Sequence, residues 1–223
     1  MSAHVAAVSD TRSKLIDGTI TTLRDKGIAG TSARVIAATA GVNQALIFYH
    51  FGTVDQLIDT ACRESTAERV ALYRPQFEQV GSFRELLALG REMHVRERDA
   101  GNVTVLAQVL AGAQQDASLA AAAKHALALW IAEIETMLVR LLKSSPLAEV
   151  ANADGLARGI AASFIGIELF DGVDPDGAQN AIASLEMLGA LVEVVEDLGP
   201  VARRALRARV RRTVRSTRKA AAD

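Results

Sequence analysis

The sequence predicts an all-α chain. Apolar residues recur at helical spacing almost from end to end, while alternating patterns joined by hairpin turns are hard to find. Breaks at Pro75, Gly101 and Pro146 divide the pattern into helix-length segments. With 223 residues, 50% of them apolar and 23% charged, the chain is long enough to bury a real core.

The first helix is expected to start near Ser9 or Asp10 and to bury Leu15, Ile16, Thr19, Ile20 and Leu23. Gly27 caps its C-terminus, with cationic Lys26 in the last turn. Thr31 and Ser32 offer hydroxyls at the start of a short second helix that ends at Gly41, and Asn43 can cap a third. Longer segments follow at 54–74, 82–99, 103–115 and 118–143. Two more, roughly 154–171 and 176–198, flank the turn "DGVDPDG", and Gly199-Pro200 stops the last. The Ala-rich stretch 120–128 is strong helix former rather than a linker.

Several function classes lose support at this level. No uncharged apolar run approaches the ~20 residues that cross a bilayer, and the N-terminus lacks a basic start followed by an apolar block, so a cytoplasmic chain with no membrane partner is expected. The single Cys62 rules out an intrachain disulfide or a thiolate cluster within one chain. There is no phosphate-binding glycine loop, nucleophile elbow or pair of zinc-binding histidines, so neither an enzyme nor a cofactor or metal is expected. The net charge of −1 conceals an asymmetry. Residues 200–223 hold nine Arg or Lys against one Asp, a basic tail of +8 on a body of −9.

The stretch that carries chemistry is "TSARVIAATAGVNQALIFYHF", residues 31–51. Two short helices joined by a tight glycine turn, the second rich in hydrogen-bonding and aromatic groups, read as a helix-turn-helix. Ala37 is small where the helices approach, Gly41 supplies a left-handed turn residue, and Ile47 anchors the second helix. Ile36, Ala40 and Val42 complete the apolar contacts. Ile47 and Phe51 lie one turn apart and face inward, which sends Gln44, Ala45, Phe48 and Tyr49 to the other side. Exposed rings are a liability unless something covers them, and a DNA major groove can. Gln44 can pair with an adenine edge, while Ala45, Leu46 or Phe48 can touch thymine methyls. Tyr49, His50, Thr31 and Ser32 can donate to phosphates, and Lys14, Lys26 and Arg34 add positive charge.

These residues, preceded by "DKGIAG" and followed by "GTVDQL" with Leu57, resemble the tetracycline-repressor (TetR) type of bacterial transcriptional regulators over residues 10–58. The resemblance implies a three-helix DNA-binding head over residues 9–58 and a larger helical ligand-binding and dimerisation domain over 59–199, ahead of the basic segment 200–223. It also implies base contacts by Gln44, Ala45 and Leu46, backbone contacts by Thr31, Tyr49 and His50, a double-stranded operator, and a small, mostly apolar effector. Two departures from the family pattern stand out: Phe48 replaces a usual Tyr and Val54 a frequent Lys, so two phosphate contacts are missing. The rival reading is a helical small-molecule binder or adaptor whose head has lost DNA affinity.

In the body, Met93, His94, Gln108 and Trp130 are the ligand-pocket candidates. Gln108 is polar inside the apolar run "VLAQVLAG", so it either serves a bound molecule or is satisfied by a neighbouring helix; Met93 and Trp130 could equally be core. An all-α enzyme would instead need a polar, titratable pocket around His94 and Glu97. The helices "DGLARGIAASFIGIELFD" and "AIASLEMLGALVEVV" are apolar enough to supply half of a four-helix interface in a twofold homodimer. The tail reads as a helix with an apolar stripe of Ala202, Leu206, Val210 and Val214, suited to DNA phosphate contact or an anionic membrane surface, or else a solvated helix lying on the acidic body or a frayed terminus.

Overall fold

The computed structural model describes residues 2–143, 145, 151–196, 198–202, 204–206, 208, 209 and 212, without the side chains of residues 2–9 and Glu196. Among the described residues there is no strand. The helices among the described residues up to 196 are, in order, α1 Ser2–Lys26, α2 Ala33–Ala40, α3 Ala45–Phe51, α4 Val54–Gln79, α5 Phe83–Asp99, α6 Asn102–Ala113, α7 Ala117–Leu142, α8 Ala153–Asp171 and α9 Pro175–Glu196. The described residues from 200 onward are helical, with Ala202 exposed and Leu206 half-buried, while Val210 and Val214 lie outside the described set.

Two helix boundaries differ from expectation for identifiable reasons. α1 begins at Ser2, because "SAHVAAVS" contains no glycine or proline to stop the helix ahead of Asp10. α4 runs through Pro75 to Gln79. A proline removes one backbone hydrogen bond from a helix interior, and here the helix continues for four residues beyond it. Two of the carbonyls near the end of α4, those of Phe77 and Val80, accept hydrogen bonds from Arg140 Nη2 at 2.7 and 2.8 Å.

The chain forms two compact units, residues 1–72 with 95–129, and 73–94 with 130–223, and α4, α5 and α7 contribute residues to both. The first unit has two apolar clusters. One joins Leu15, Ile16, Ile36, Ala37, Ile47, Phe51, Leu57 and Ala61, so the core of the three-helix head continues into α4. The other joins Leu23, Ile58, Cys62, Val109, Leu119 and Ala123, which seats α1 and α4 against α6 and the start of α7. In the second unit Tyr73, Phe77, Leu89, Met93, Ile134, Met137, Leu138 and Ala161 are among the buried core residues.

By length and composition α9 is the one described helix apolar enough to cross a membrane. Two of its acids pair with α5, however: Glu186 accepts from Arg91 at 2.7 Å, and Glu193 pairs with Arg84 at 2.9 Å.

Candidate nucleic-acid interface

The head is assembled from local signals. α2 starts where Ser32, in extended conformation, accepts a hydrogen bond on Oγ from the amide of Val35, and it stops at Gly41, whose φ of 66° lies in the left-handed region. The Gly41 and Val42 amides then donate to Ala38 and Ala37 at 3.3 and 3.0 Å and close the turn. Asn43 Oδ1 accepts from the amide of Ala45 at 2.8 Å and starts α3. Thr53 Oγ1 does the same for Gln56 at 3.1 Å, a cap for α4 that the sequence reading did not single out.

Packing then fixes which side of α3 faces out. Ile47 is fully buried and Phe51 nearly so, among Leu15, Ile16, Ile36, Leu57 and Ala61. Consecutive helical residues turn by about 100°, so the intervening side chains point away from that core. Gln44 and Ala45 are exposed, Leu46 and His50 half-buried, and Phe48 and Tyr49 are 49% and 73% exposed. Tyr49 meets the edge of the His50 ring at a centroid distance of 4.9 Å.

The proposed backbone-contacting residues divide. Thr31 uses both of its donors inside the α1–α2 loop, Oγ1 to the Gly27 carbonyl at 2.7 Å and its amide to Ile28 at 3.0 Å. Ser32 keeps its hydroxyl hydrogen, since its oxygen acts as acceptor in the cap. Arg34 is exposed, and with Lys26, Val35, Ala38 and Thr39 it lines an open groove of about 440 Å³ with two cations at its rim. Val54 packs against both apolar clusters of the first unit, which accounts for an apolar residue there.

Two supporting residues were not named from sequence. Gly18 is where α1 and α2 touch: a Cβ there would stand 2.8 Å from that of Ala40. Arg12 pairs with Glu64 on α4 at 2.5 Å and lies 5.5 Å above the Phe51 ring, clamping α1 and α3 to α4. Glu64 is held below the usual carboxylate range chiefly by its hydrogen bond from Arg12. A small residue on a helix and an Arg–Glu pair separated by 52 positions leave no local signal.

The body candidates lie among these neighbours. Met93 is buried in the second unit's core, and Trp130 packs on Tyr73 and Phe77 with centroids at 5.9 and 6.4 Å. Gln108 Oε1 accepts from the Ile28 amide at 3.4 Å. His94 pairs with Glu168 across 74 positions, whereas Glu97 binds Arg69 and Asn102. Among the described residues, no group of three His, Cys, Asp or Glu side chains is arranged to hold a metal.

A three-helix head whose middle turn carries a left-handed glycine and whose third helix turns polar and aromatic groups outward defines a helix-turn-helix DNA-binding protein. The sequence pattern of the bacterial regulatory proteins of the tetR family matches residues 15–61. The fold of the whole chain is that of TetR-family regulators. It is similar to a protein from Rhodococcus sp. described as a TetR-family transcriptional regulator, at 22% identity and a TM-score of 0.69, covering 85% of this chain and all of that one. A TetR-family member from Streptomyces coelicolor is 24% identical with a TM-score of 0.58, over 78% of this chain and 97% of that one. The transcriptional regulator FadR from Bacillus subtilis, in complex with stearoyl-CoA, is 14% identical with a TM-score of 0.66, over 79% and 96%. At these identities the likeness concerns the fold. No curated protein matches the chain in sequence.

Proposed function

We propose that the protein is a homodimeric, ligand-responsive transcriptional regulator of the cytoplasm, acting as a repressor at a near-palindromic operator. The observation that carries this reading is the division of α3 into a buried face, Ile47 and Phe51, and an uncovered one, Gln44, Ala45, Phe48 and Tyr49. Rings left in solvent beside a hydrogen-bonding Gln suit a major groove, where the amide meets an adenine edge and apolar groups meet thymine methyls. Ser32, Arg34, Tyr49 and His50 then hold the phosphates on either side, and the Lys26–Arg34 groove supplies the charge that Val54 does not.

Dimerisation is supported by α8 and α9, which pack together and still leave Leu169, Phe170, Met187, Leu188, Leu191 and Val194 between 43% and 71% exposed. Apolar side chains exposed to this extent on two neighbouring helices favour a covering partner. A twofold partner presenting the same surface gives a four-helix interface, and the pair of heads then spans half-sites about one helical turn, roughly 34 Å, or a multiple apart.

The effector-binding domain in this reading is the body from residue 59 to 199, with Met93, His94 and Trp130 as the residues nearest to a ligand. One structural relative, the FadR of Bacillus subtilis, is recorded in complex with stearoyl-CoA, which favours a small-molecule role for a body of this fold. An effector acts only through unequal affinity for the DNA-competent and DNA-incompetent conformations.

The test is a gel shift with the promoter region beside the protein's own gene, together with light scattering to read the oligomeric state. A dimer that retards this DNA at low salt, with retardation lost in Gln44→Ala/Tyr49→Ala, is the expected result. A folded chain that binds no DNA at low salt contradicts the reading.

A further inference from the structure

Three helices of the head meet at one side chain. Arg12 on α1 reaches Glu64 on α4 with both arms of its guanidinium, Nη1 to Oε2 at 2.9 Å and Nη2 to Oε1 at 2.5 Å. Two parallel bonds of this kind fix the plane of the group as well as its position. The carbon at its centre stands 5.5 Å over the centroid of the Phe51 ring, at the end of α3. From there the ring contacts continue along α3. Phe51 lies beside His50 with centroids at 6.2 Å, and His50 meets Tyr49 at 4.9 Å. Phe51 is buried, His50 half-buried and Tyr49 73% exposed, so the series runs from the core of the head to the face turned toward solvent.

α3 depends on such a hold. It has seven residues, and helices shorter than ~12–15 residues are marginal in water by themselves. Its two buried anchors, Ile47 and Phe51, stand one turn apart on a single stripe. Two points on a stripe fix its line, and roll about that line, which swings Tyr49 and His50, is left to other contacts. A binding surface has to be held to about 0.5 Å by side chains that are themselves locked. Global stability is a poorer reason for the pair. The Arg12 and Glu64 side chains are 41% and 38% exposed, and ion pairs exposed to this extent add little to it.

We propose that Arg12 is a positioning residue for DNA recognition: held by Glu64, it sets the roll of α3 through Phe51, and with it the placement of His50 and Tyr49 against the operator. This rests on reading α3 as the recognition helix and adds to it a pair that touches no base. Glu64 is then required for DNA binding although it is an acid, the opposite of what its charge alone dictates. Taking a carboxylate from a protein that binds a polyanion strengthens binding when that charge acts only through the field. A lysine in place of Arg12 keeps the charge and lacks the fork.

The test is the affinity of the full chain for genomic fragments selected with the parent protein, over a series of salt concentrations. It compares the parent with Glu64→Ala, Arg12→Gln, Arg12→Lys and the double variant Arg12→Gln/Glu64→Ala, with melting temperature and amide hydrogen exchange measured on the same proteins. Each single variant is expected to weaken binding about tenfold, and the double variant no more than either, because the two residues act as a unit. The salt slope is expected to stay that of the parent, and exchange to quicken at residues 45–51 with the melting temperature nearly unchanged. Tighter binding by Glu64→Ala overturns the proposal. A salt slope reduced by ~1 in Arg12→Gln makes Arg12 a phosphate contact and overturns it as well. A lowered melting temperature with exchange quickened throughout the head makes the pair merely structural, with the same consequence. Variants that bind like the parent defeat this inference and leave the recognition reading standing, whereas a folded parent that retains no fragment at low salt defeats both.

Discussion

Gln108 Oε1 on α6 accepts a hydrogen bond from the backbone amide of Ile28 in the loop that joins α1 to α2, at 3.4 Å. The approach depends on the residue before it. Gly27 has a φ of 65°, and a Cβ there would stand 2.8 Å from the same oxygen. The one polar side chain in an apolar run thus reaches the DNA-binding head and steadies the loop that leads into α2.

Gln108→Leu removes that acceptor and leaves the Ile28 amide to find another. A long hydrogen bond of this kind contributes about 0.5–1 kcal/mol, so the variant is expected to lower stability by that order and to speed hydrogen exchange at Ile28 and its neighbours. Exchange unchanged at Ile28 would show that the contact does not hold the loop.

The buried side of α3 is a matter of packing. Ile47→Ala is expected to cost about 2–5 kcal/mol, because the side chain is fully buried among Leu15, Ile36 and Leu57 and the cavity it leaves has little room to collapse. Urea unfolding reads this directly, and a loss below about 1 kcal/mol would place Ile47 outside the core.

Gly41 tests the turn by itself. A Cβ there meets nothing within 4 Å, so Gly41→Ala adds no clash and isolates the cost of holding a non-glycine residue at φ 66°. That cost is about 1–2 kcal/mol, read as a lower melting temperature. A variant as stable as the parent would mean that the turn relaxes to a different conformation.

Cys62 is predicted to be unreactive. Burial, assisted by the charge of Asp59, pushes its thiol up to about 12. The sign of the pH dependence follows: in the unfolded chain the thiol ionises near its ordinary value, so stability is intact below about pH 9 and declines as pH rises from there toward 12. Cys62→Ala should flatten that part of the stability profile. A disulfide reagent should label the native chain only as fast as it opens, and prompt labelling at pH 8 would contradict the burial.

The head was legible in the sequence because its determinants are local. Ser32, Gly41 and Asn43 act on backbone within three residues of themselves, and Ile47 with Phe51 fixes the inward face by helical period alone. The second and third helices named from those residues are found as α2 and α3, whereas α1 starts earlier than expected. What stayed hidden is long-range. His94 has an acid three residues on, Glu97, yet pairs with one 74 positions away, because packing of α5 on α8 decides its neighbours. Gln108 announced a polar need inside an apolar helix without revealing that a loop 80 positions earlier would meet it. Pro75 looked like a boundary because its local cost is real, and here the helix continues regardless.

The outward face of α3 carries the central claim, and selection of bound fragments from the source genome tests it most directly, comparing the parent with Gln44→Ala/Tyr49→Ala at matched melting temperature. The account predicts that the parent enriches a small set of near-palindromic sites and that the double variant does not. Enrichment of the same fragments by both proteins would contradict it.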